Sequence, residues 1–301
     1  MAAGDLVTLP GHVEYDGLLL GPFTPYGWKS VTGWEDSPGT DSGTVNRAAA
    51  HGAYPGRLLA QPRTITLDGV VIRSEPRQMG TTVRRLSSAT ALRDDEVPLV
   101  IRLDDSPPLL CFARCIRRAI PVAAGGYAVG VVQGAALQFE ASDPRRYELV
   151  EQQAETRLPM AEPGLDWHLD PGPESLNYPL DFGEPGSTGT VTATNDGDAA
   201  AHPLVRFRGP VALPSVTNIT TGAVLEYDIT LAADDELLVD TDNGTVTLNR
   251  TASRLYTATA RSAPENTFTL PPGSASLTFR AAPGSNDPRA ACSLRWRSAY
   301  W

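Results

Sequence analysis

The sequence predicts a mainly β protein of two domains: an N-terminal β-sandwich or barrel with one helix, and a C-terminal β-sandwich of the jelly-roll kind. Two observations predict it. The 301 residues include 27 glycines and 26 prolines, which interrupt the chain too often for long helices. Short runs with alternating apolar and polar residues recur in both halves, and this period is typical of half-buried strands.

The distribution of charge divides the chain near residue 150. Residues 1–150 carry 15 basic and 16 acidic side chains, whereas residues 151–301 carry 10 and 19. Residues 151–184 are rich in proline, glycine and acids without an apolar period, which indicates a linker or an irregular lead-in. We therefore expect one domain over residues 1–150 and a second over residues 185–301.

The first half contains several strand patterns and one helical pattern. Strands are predicted at residues 63–72, 99–103, 109–120 and 129–141. The last two should pair as a long hairpin across a turn at Gly125-Gly126, and Cys111 and Cys115 should share one face of their strand. A three-to-four spacing of apolar residues predicts a helix over about residues 81–95.

The second half is denser in strand patterns, and each run ends at glycine, proline or asparagine. Strands are predicted at residues 190–194, 204–208, 224–231, 236–240, 245–248, 276–279 and 292–296. The pair Asn243-Gly244 predicts a two-residue type I′ turn. The alternation that ends at Trp296 predicts a final strand, and we expect its aromatic side chain to pack on the second domain together with Tyr300 and Trp301.

No pattern predicts a catalytic, cofactor-binding or metal-binding residue, so we expect no enzyme and no cofactor. The scattered histidines are His12, His51, His168 and His202, and the cysteines are Cys111, Cys115 and Cys292. None has the spacing of a metal site, and the odd number of cysteines predicts reduced thiols. Asp41-Ser42-Gly43 lacks the glycines of a nucleophile loop, and a hairpin explains Asp240 and Asp242 better than a calcium loop does.

The sequence also argues against a secreted protein, a membrane-spanning protein and a specific nucleic-acid-binding protein. The N-terminal residues lack the basic and apolar regions of a signal peptide, and no stretch is apolar and long enough to span a membrane. Basic residues form isolated pairs, so specific nucleic-acid binding is not predicted. Two alternatives stay open. One is a carbohydrate-binding module with a stacking platform built from Tyr26, Trp28, Trp34, Trp296, Tyr300 and Trp301. The other is a cell-wall glycoside hydrolase with a pair of carboxylates.

The order of segments from residue 141 onward resembles the distal tail protein of long-tailed phages, the siphovirus-type tail component family. The matching segments are residues 141–147, 195–198, 202–203, 209–210, 218–222, 231–240, 245–249, 270–273 and 296–301. The first half resembles the family in its outline of strands and one helix. Arg250 stands where relatives often have glycine in a tight turn, so we expect a longer loop there.

The resemblance implies a structural protein in the virion, at the tail tip, assembled in the host cytoplasm. It implies a tail-tube-like first domain and a galectin-like second domain. Members of the family form a homo-hexameric ring that joins the tail tube protein to the tail hub and the receptor-binding proteins, around a channel for DNA exit. Because residues 1–150 are nearly neutral, we expect them to make the contacts of this ring, with the acidic second domains outside.

Overall fold

The computed structural model describes residues 2–160 and 186–301. The chain forms two compact units. Unit 1 comprises Met1–Leu149 together with Ala299–Trp301, and unit 2 comprises Val150–Ser298. The predicted mainly β fold class is confirmed. The last three residues of the chain belong to unit 1 and not to unit 2, which the sequence patterns do not predict.

Unit 1 is built around one sheet. Its elements are β1 His12–Tyr15, β2 Leu18–Leu20, β3 Tyr26–Gly27, β4 Ser30–Thr32, β5 Thr40–Ser42, β6 Val45–Asn46, β7 Ala53–Tyr54, β8 Leu58–Ala60, β9 Arg63–Arg73, α1 Met79–Ala89, β10 Val97–Arg102, β11 Leu109–Ala119, α2 Ala124–Val129, β12 Val131–Ala141, β13 Arg146–Glu148 and, after unit 2, β26 Ala299–Tyr300. The sheet order is β2-β1-β10-β11-β12-β9-β3, with β4 on β9 and with β13 between β11 and β26. All these pairs are antiparallel, and the sheet is nearly closed into a barrel.

The predicted long hairpin is present as β11 and β12, which pair with Cys115 opposite Phe139. Gly125 and Gly126, however, lie in the short helix α2 and not in a turn. Cys111 and Cys115 do share the inner face, where both are buried. Burial raises the pKa of the Cys111 thiol to about 12, so this thiol is protonated and unreactive at neutral pH.

The predicted helix is α1, but it is shorter and starts earlier than residues 81–95. It buries Met79 and Leu86 against the sheet and ends at Ala89. The Thr90 hydroxyl donates a 2.7 Å hydrogen bond to the Leu86 carbonyl, which satisfies one of the last carbonyls of the helix. Acidic residues follow the helix, and their negative charge would be unfavourable near the negative C-terminal end of a longer helix. Leu92 lies beyond the end of the helix and is 87% exposed, so it does not cover the core.

The described part of unit 2 is built from two facing sheets and a separate two-stranded pair, β17 Val211–Ala212 with β20 Thr230–Leu231. Its elements are β14 Gln152–Arg157, β15 Thr190–Asn195, β16 Leu204–Arg208, β17 Val211–Ala212, β18 Ser215–Asn218, β19 Val224–Glu226, β20 Thr230–Leu231, β21 Glu236–Asp240, β22 Thr245–Leu248, β23 Ala252–Ser253, the 3₁₀ turns Leu255–Thr257 and Glu265–Thr267, β24 Gly273–Arg280 and β25 Ala291–Trp296. One sheet has the order β14-β25-β16-β21-β22-β23, and the other has β15-β24-β18-β19. The rings of Phe207 on β16 and Phe279 on β24 lie 5.9 Å apart, so the core forms between the two sheets.

The lead-in to unit 2 differs from the predicted linker over residues 151–184. Its first part forms β14, whose six residues all pair with β25. The sequence shows no apolar alternation in β14 because only Thr156 of this strand is buried and the other five side chains are polar or small. Residues 161–185 lie outside the described part of the chain.

The type I′ turn is not at Asn243-Gly244, where the sequence places it. Asp240 pairs with Thr245, which leaves a four-residue loop in which only Gly244 has a positive φ, of 63°. The primed turn lies at the next connection. Asn249 and Arg250 have φ values of 51° and 60°, and the Thr251 N–H donates to the Leu248 carbonyl across 3.1 Å. Two successive positive φ values with this bond are the pattern of a type I′ turn, so the expected longer loop at Arg250 is a tight turn.

Candidate interaction surfaces

The side chains singled out for chemistry do not converge. Within residues 2–160 and 186–301, no group of three His, Cys, Asp or Glu side chains is placed to hold a metal ion. Ser42 lies on the exposed strand β5 and contacts the Thr44 hydroxyl. Asp240 accepts the backbone N–H groups of Asp242 and Asn243, both at 3.0 Å, so it shapes its own loop. His168 lies outside the described residues.

The aromatic residues proposed as a sugar-stacking platform are mostly interior. Tyr26 and Trp34 are each 2% exposed in unit 1, and Trp296 is 4% exposed in unit 2, where its Nε1 donates to the Thr194 carbonyl across 2.8 Å. Tyr300 and Trp301 belong to unit 1, against the expectation that they pack on the second domain. These rings therefore do not form one stacking surface.

Unit 2 carries a polar groove beside β14, β16 and β25. The groove has a volume of about 280 Å³ and is lined by Gln153, Ala154, Glu155, Arg206, Ser293 and Arg295. Its charged groups already have partners: Glu155 pairs with Arg208, and Arg206 pairs with Glu236. Its lining contains no aromatic face on which a sugar ring could stack.

Unit 1 carries an exposed arm, which we define as residues 39–60. In the arm, β5 pairs with β8 and β6 pairs with β7, each as a separate two-stranded sheet. Val45, Tyr54, Leu58 and Leu59 are between 54% and 66% exposed on it. A two-stranded ribbon is marginally stable alone and offers free backbone groups along its edges, so the arm is suited to contact another chain.

The base of the arm is fixed by Arg63, the first residue of β9, which is 2% exposed. Its Nη1 donates to the carbonyls of Gly33, Trp34 and Asp36 at 2.7 to 3.0 Å. Burial lowers the pKa of Arg63, and the charge of Arg146 lowers it further. The guanidinium thus replaces backbone pairing in the segment just before the arm and sets where the arm leaves the sheet.

A turn between β2 and β3 displays a single aromatic side chain. The Thr24 N–H donates to the Gly21 carbonyl at 3.3 Å, Pro22 precedes Phe23, and Phe23 has φ 61°. This is the pattern of a type II turn, whose third position favours glycine or asparagine. A left-handed backbone conformation at phenylalanine costs of order 1–3 kcal/mol of folding free energy. The Phe23 side chain is 96% exposed, so packing within its own chain does not offset this cost.

The turn that carries Phe23 is held rigidly. His12, 3% exposed, lies with its Nε2 at 3.1 Å from the Pro22 carbonyl, and its Nδ1 is within 3.3 Å of two backbone N–H groups. These distances fit Nε2 as the donor and Nδ1 as the acceptor. A Cβ on Gly21 would lie 2.2 Å from the Gly11 carbonyl oxygen, so only glycine allows this approach. The aromatic side chain is therefore presented on an ordered support.

Unit 1 also carries an open groove of about 400 Å³, lined by Leu92, Arg93, Asp94, Arg114, Cys115 and Ile116. Leu92 is 87% exposed and Ile116 is 40% exposed. Arg93 is held by Asp16 at 2.7 Å, and Arg114 contacts Glu140 at 3.3 Å. The groove thus combines apolar walls with two guanidinium groups that are each paired with a carboxylate.

Residues 196–300 match the family model described as "Siphovirus-type tail component, C-terminal domain". This part of the chain is thus similar to the C-terminal domain of siphovirus-type tail components. The resemblance that the sequence predicts for residues 141–301 is confirmed over residues 196–300. No curated protein matches the sequence.

One solved structure extends the likeness of fold to nearly the whole chain. The Dit protein of phage SPP1, described as a paradigm of the hub adsorption apparatus of phages that infect Gram-positive bacteria, is 13% identical, with a TM-score of 0.65 over 96% of this chain and 99% of that one. A chain of the phage P2 baseplate activated with Ca is 9% identical, with a TM-score of 0.49 over 91% of each chain. A chain of the same baseplate with Sr is 9% identical, with a TM-score of 0.48 over 94% and 96%. None of the described helices of this chain is long and apolar enough to cross a membrane.

Proposed function

We propose that the protein is a non-enzymatic structural component of a phage tail tip. In this proposal six copies form a ring that joins the tail tube protein to the tail hub and the receptor-binding proteins, around a channel through which DNA leaves. The observation that carries it is the tail-component domain at residues 196–300, on a chain whose fold matches the SPP1 Dit protein along 96% of its length. The protein would be assembled in the host cytoplasm and act in the virion.

The surface of unit 1 supports its role in forming the ring. The arm presents apolar side chains and unpaired strand edges, which are features of a segment that pairs with a neighbouring chain. The near balance of 15 basic and 16 acidic residues in residues 1–150 lets copies approach with little repulsion, whereas the 19 acids of residues 151–301 disfavour close packing of the second units. We therefore assign the ring contacts to unit 1 and the outer position to unit 2, with a galectin-like sandwich.

The test is the mass and shape of the purified full-length protein. We expect sedimentation to give six times the chain mass and negative-stain micrographs to show six-fold rings with a central opening. A monomer at every accessible concentration would overturn the proposal.

The carbohydrate-binding and hydrolase alternatives predict different results. The first predicts saturable binding of host cell-wall glycans by a monomer, and the second predicts release of sugar fragments that stops after a single Asp or Glu substitution. The buried positions of Tyr26, Trp34 and Trp296 argue against the stacking platform that the first alternative requires. We expect neither glycan binding nor turnover.

A further inference from the structure

We infer that Phe23 of one copy inserts into the groove between Leu92 and Ile116 of a second copy of this chain, and that this contact closes the ring. The inference rests on the proposed function and adds the residues that connect neighbouring copies. It starts from Phe23, whose fully displayed ring and unfavourable backbone conformation gain nothing within its own chain. A large aromatic side chain on a rigid support is the usual anchor of a protein interface.

The groove has the size and chemistry to receive this anchor. Its volume of about 400 Å³ is enough for a benzyl side chain together with part of the flanking turn. Leu92 and Ile116 supply apolar contact, and the guanidinium groups of Arg93 and Arg114 can lie against the faces of the inserted ring. The ion pairs of these two arginines with Asp16 and Glu140 place both guanidinium groups along the groove.

Phe23 cannot fill the groove of its own chain. The turn of Phe23 lies at the start of β1, where Pro22 contacts His12, whereas the groove lies at the end of β1, where Asp16 binds Arg93 and the Tyr15 hydroxyl accepts the Cys115 N–H at 3.0 Å. Four residues of strand separate the two places by roughly 10–13 Å. A projecting side chain and its receptor at opposite ends of one element give a head-to-tail contact, and such contacts build a closed ring when the rotation between neighbouring copies closes.

The first variant to test is Phe23→Gly in the full chain. Glycine accepts φ 61° without strain, so the fold should keep or gain thermal stability while the contact is lost. We expect the protein concentration for half-assembly to rise by at least ~30-fold, since a buried phenylalanine contributes about that factor to association. Tyr256→Ala is the matched control, because Tyr256 of unit 2 is also an exposed aromatic, at 78%, and its removal should leave assembly unchanged.

Cross-linking tests the contact directly. A Phe23→Cys chain mixed with a Leu92→Cys chain should form a disulfide-linked dimer under mild oxidation, and the Phe23→Cys chain alone controls for reaction with Cys115. If Phe23→Gly assembles as the wild type does, or if the mixture forms no more dimer than the single variants, the inference is overturned while a ring of wild-type protein would still support the proposed function. A monomeric wild type would overturn both.

Discussion

The Tyr300 hydroxyl donates a 2.8 Å hydrogen bond to Glu148 Oε1, across 152 positions of the sequence. The backbones of the same two segments pair as β13 and β26, with Arg146 opposite Tyr300 and Tyr147 opposite Ala299. Arg146 also donates to the Trp301 carbonyl. The segment that follows unit 2 is therefore a structural part of unit 1, and the first domain cannot be represented by residues 1–150 alone.

Deleting residues 299–301 should weaken unit 1 and spare unit 2. The deletion removes the outer partner of β13 and leaves the Glu148 carboxylate without the Tyr300 hydroxyl, a loss of about 1–3 kcal/mol for a hydrogen bond to a charged group. Hydrogen exchange followed by mass spectrometry should show faster exchange in β13 and unchanged exchange in β25. Faster exchange confined to unit 2 would contradict this division of the chain.

Substituting Gly244→Val should lower the free energy of unfolding by about 1–3 kcal/mol, because valine at φ 63° is strained. A Cβ at this position meets nothing closer than Asn266, at 3.9 Å, so the cost comes from the backbone and not from a clash. Urea unfolding monitored by tryptophan fluorescence measures it. Equal midpoints for variant and wild type would show that the loop relaxes to a different conformation.

Substituting Arg250→Gly should instead stabilise unit 2 by about 1 kcal/mol, because glycine removes the cost of the left-handed conformation at φ 60°. The 3.8 Å contact of Arg250 with Glu236 is exposed and weak, so little is lost. Asn249→Gly is the matched control in the same turn. It should destabilise, since the Asn249 side chain accepts the Glu236 N–H and donates to Asp235, both at 2.9 Å. If both variants changed the free energy of unfolding in the same direction, the type I′ turn at Asn249-Arg250 would be contradicted.

The stability of the protein should fall as the pH rises above about 9. Burial raises the pKa of Cys111 to about 12 and raises the pKa of Cys292 above its usual value of 9.0. Between the unfolded and folded pKa values the unfolded thiol loses its proton while the folded thiol keeps it, so unfolding is favoured by ~1.4 kcal/mol per pH unit for each thiol. Denaturant unfolding from pH 8 to 11 should show this decline, and Cys292→Ala should make it less steep. An unchanged slope would mean that Cys292 is not protected from solvent.

The alternation of apolar and polar residues in the sequence predicted several strands of this protein. The alternation in β9, β16, β21 and β25 reflects one buried face and one exposed face, and such a pattern is visible in any strand with this environment. The same signal is missing from β14, which is mostly exposed and is held by backbone pairing with β25. The ordered segments of the second half also predicted its similarity to siphovirus-type tail components, which the family model confirms over residues 196–300.

Tertiary structure alone decided two other features. Trp296 and Tyr300 are four positions apart, yet the first packs in unit 2 and the second pairs with unit 1, because the pairing partner of a strand is set by long-range contacts. The position of the primed turn is a local effect instead: the Asp240 carboxylate accepts the N–H groups of Asp242 and Asn243 in its own loop, so the primed turn forms at Asn249-Arg250 and not at Asn243-Gly244. Phe23 and the groove at Leu92 and Ile116 became a candidate pair only in three dimensions. No local pattern shows that Phe23 is exposed or that the groove lies near the other end of β1, because both depend on how distant segments pack together.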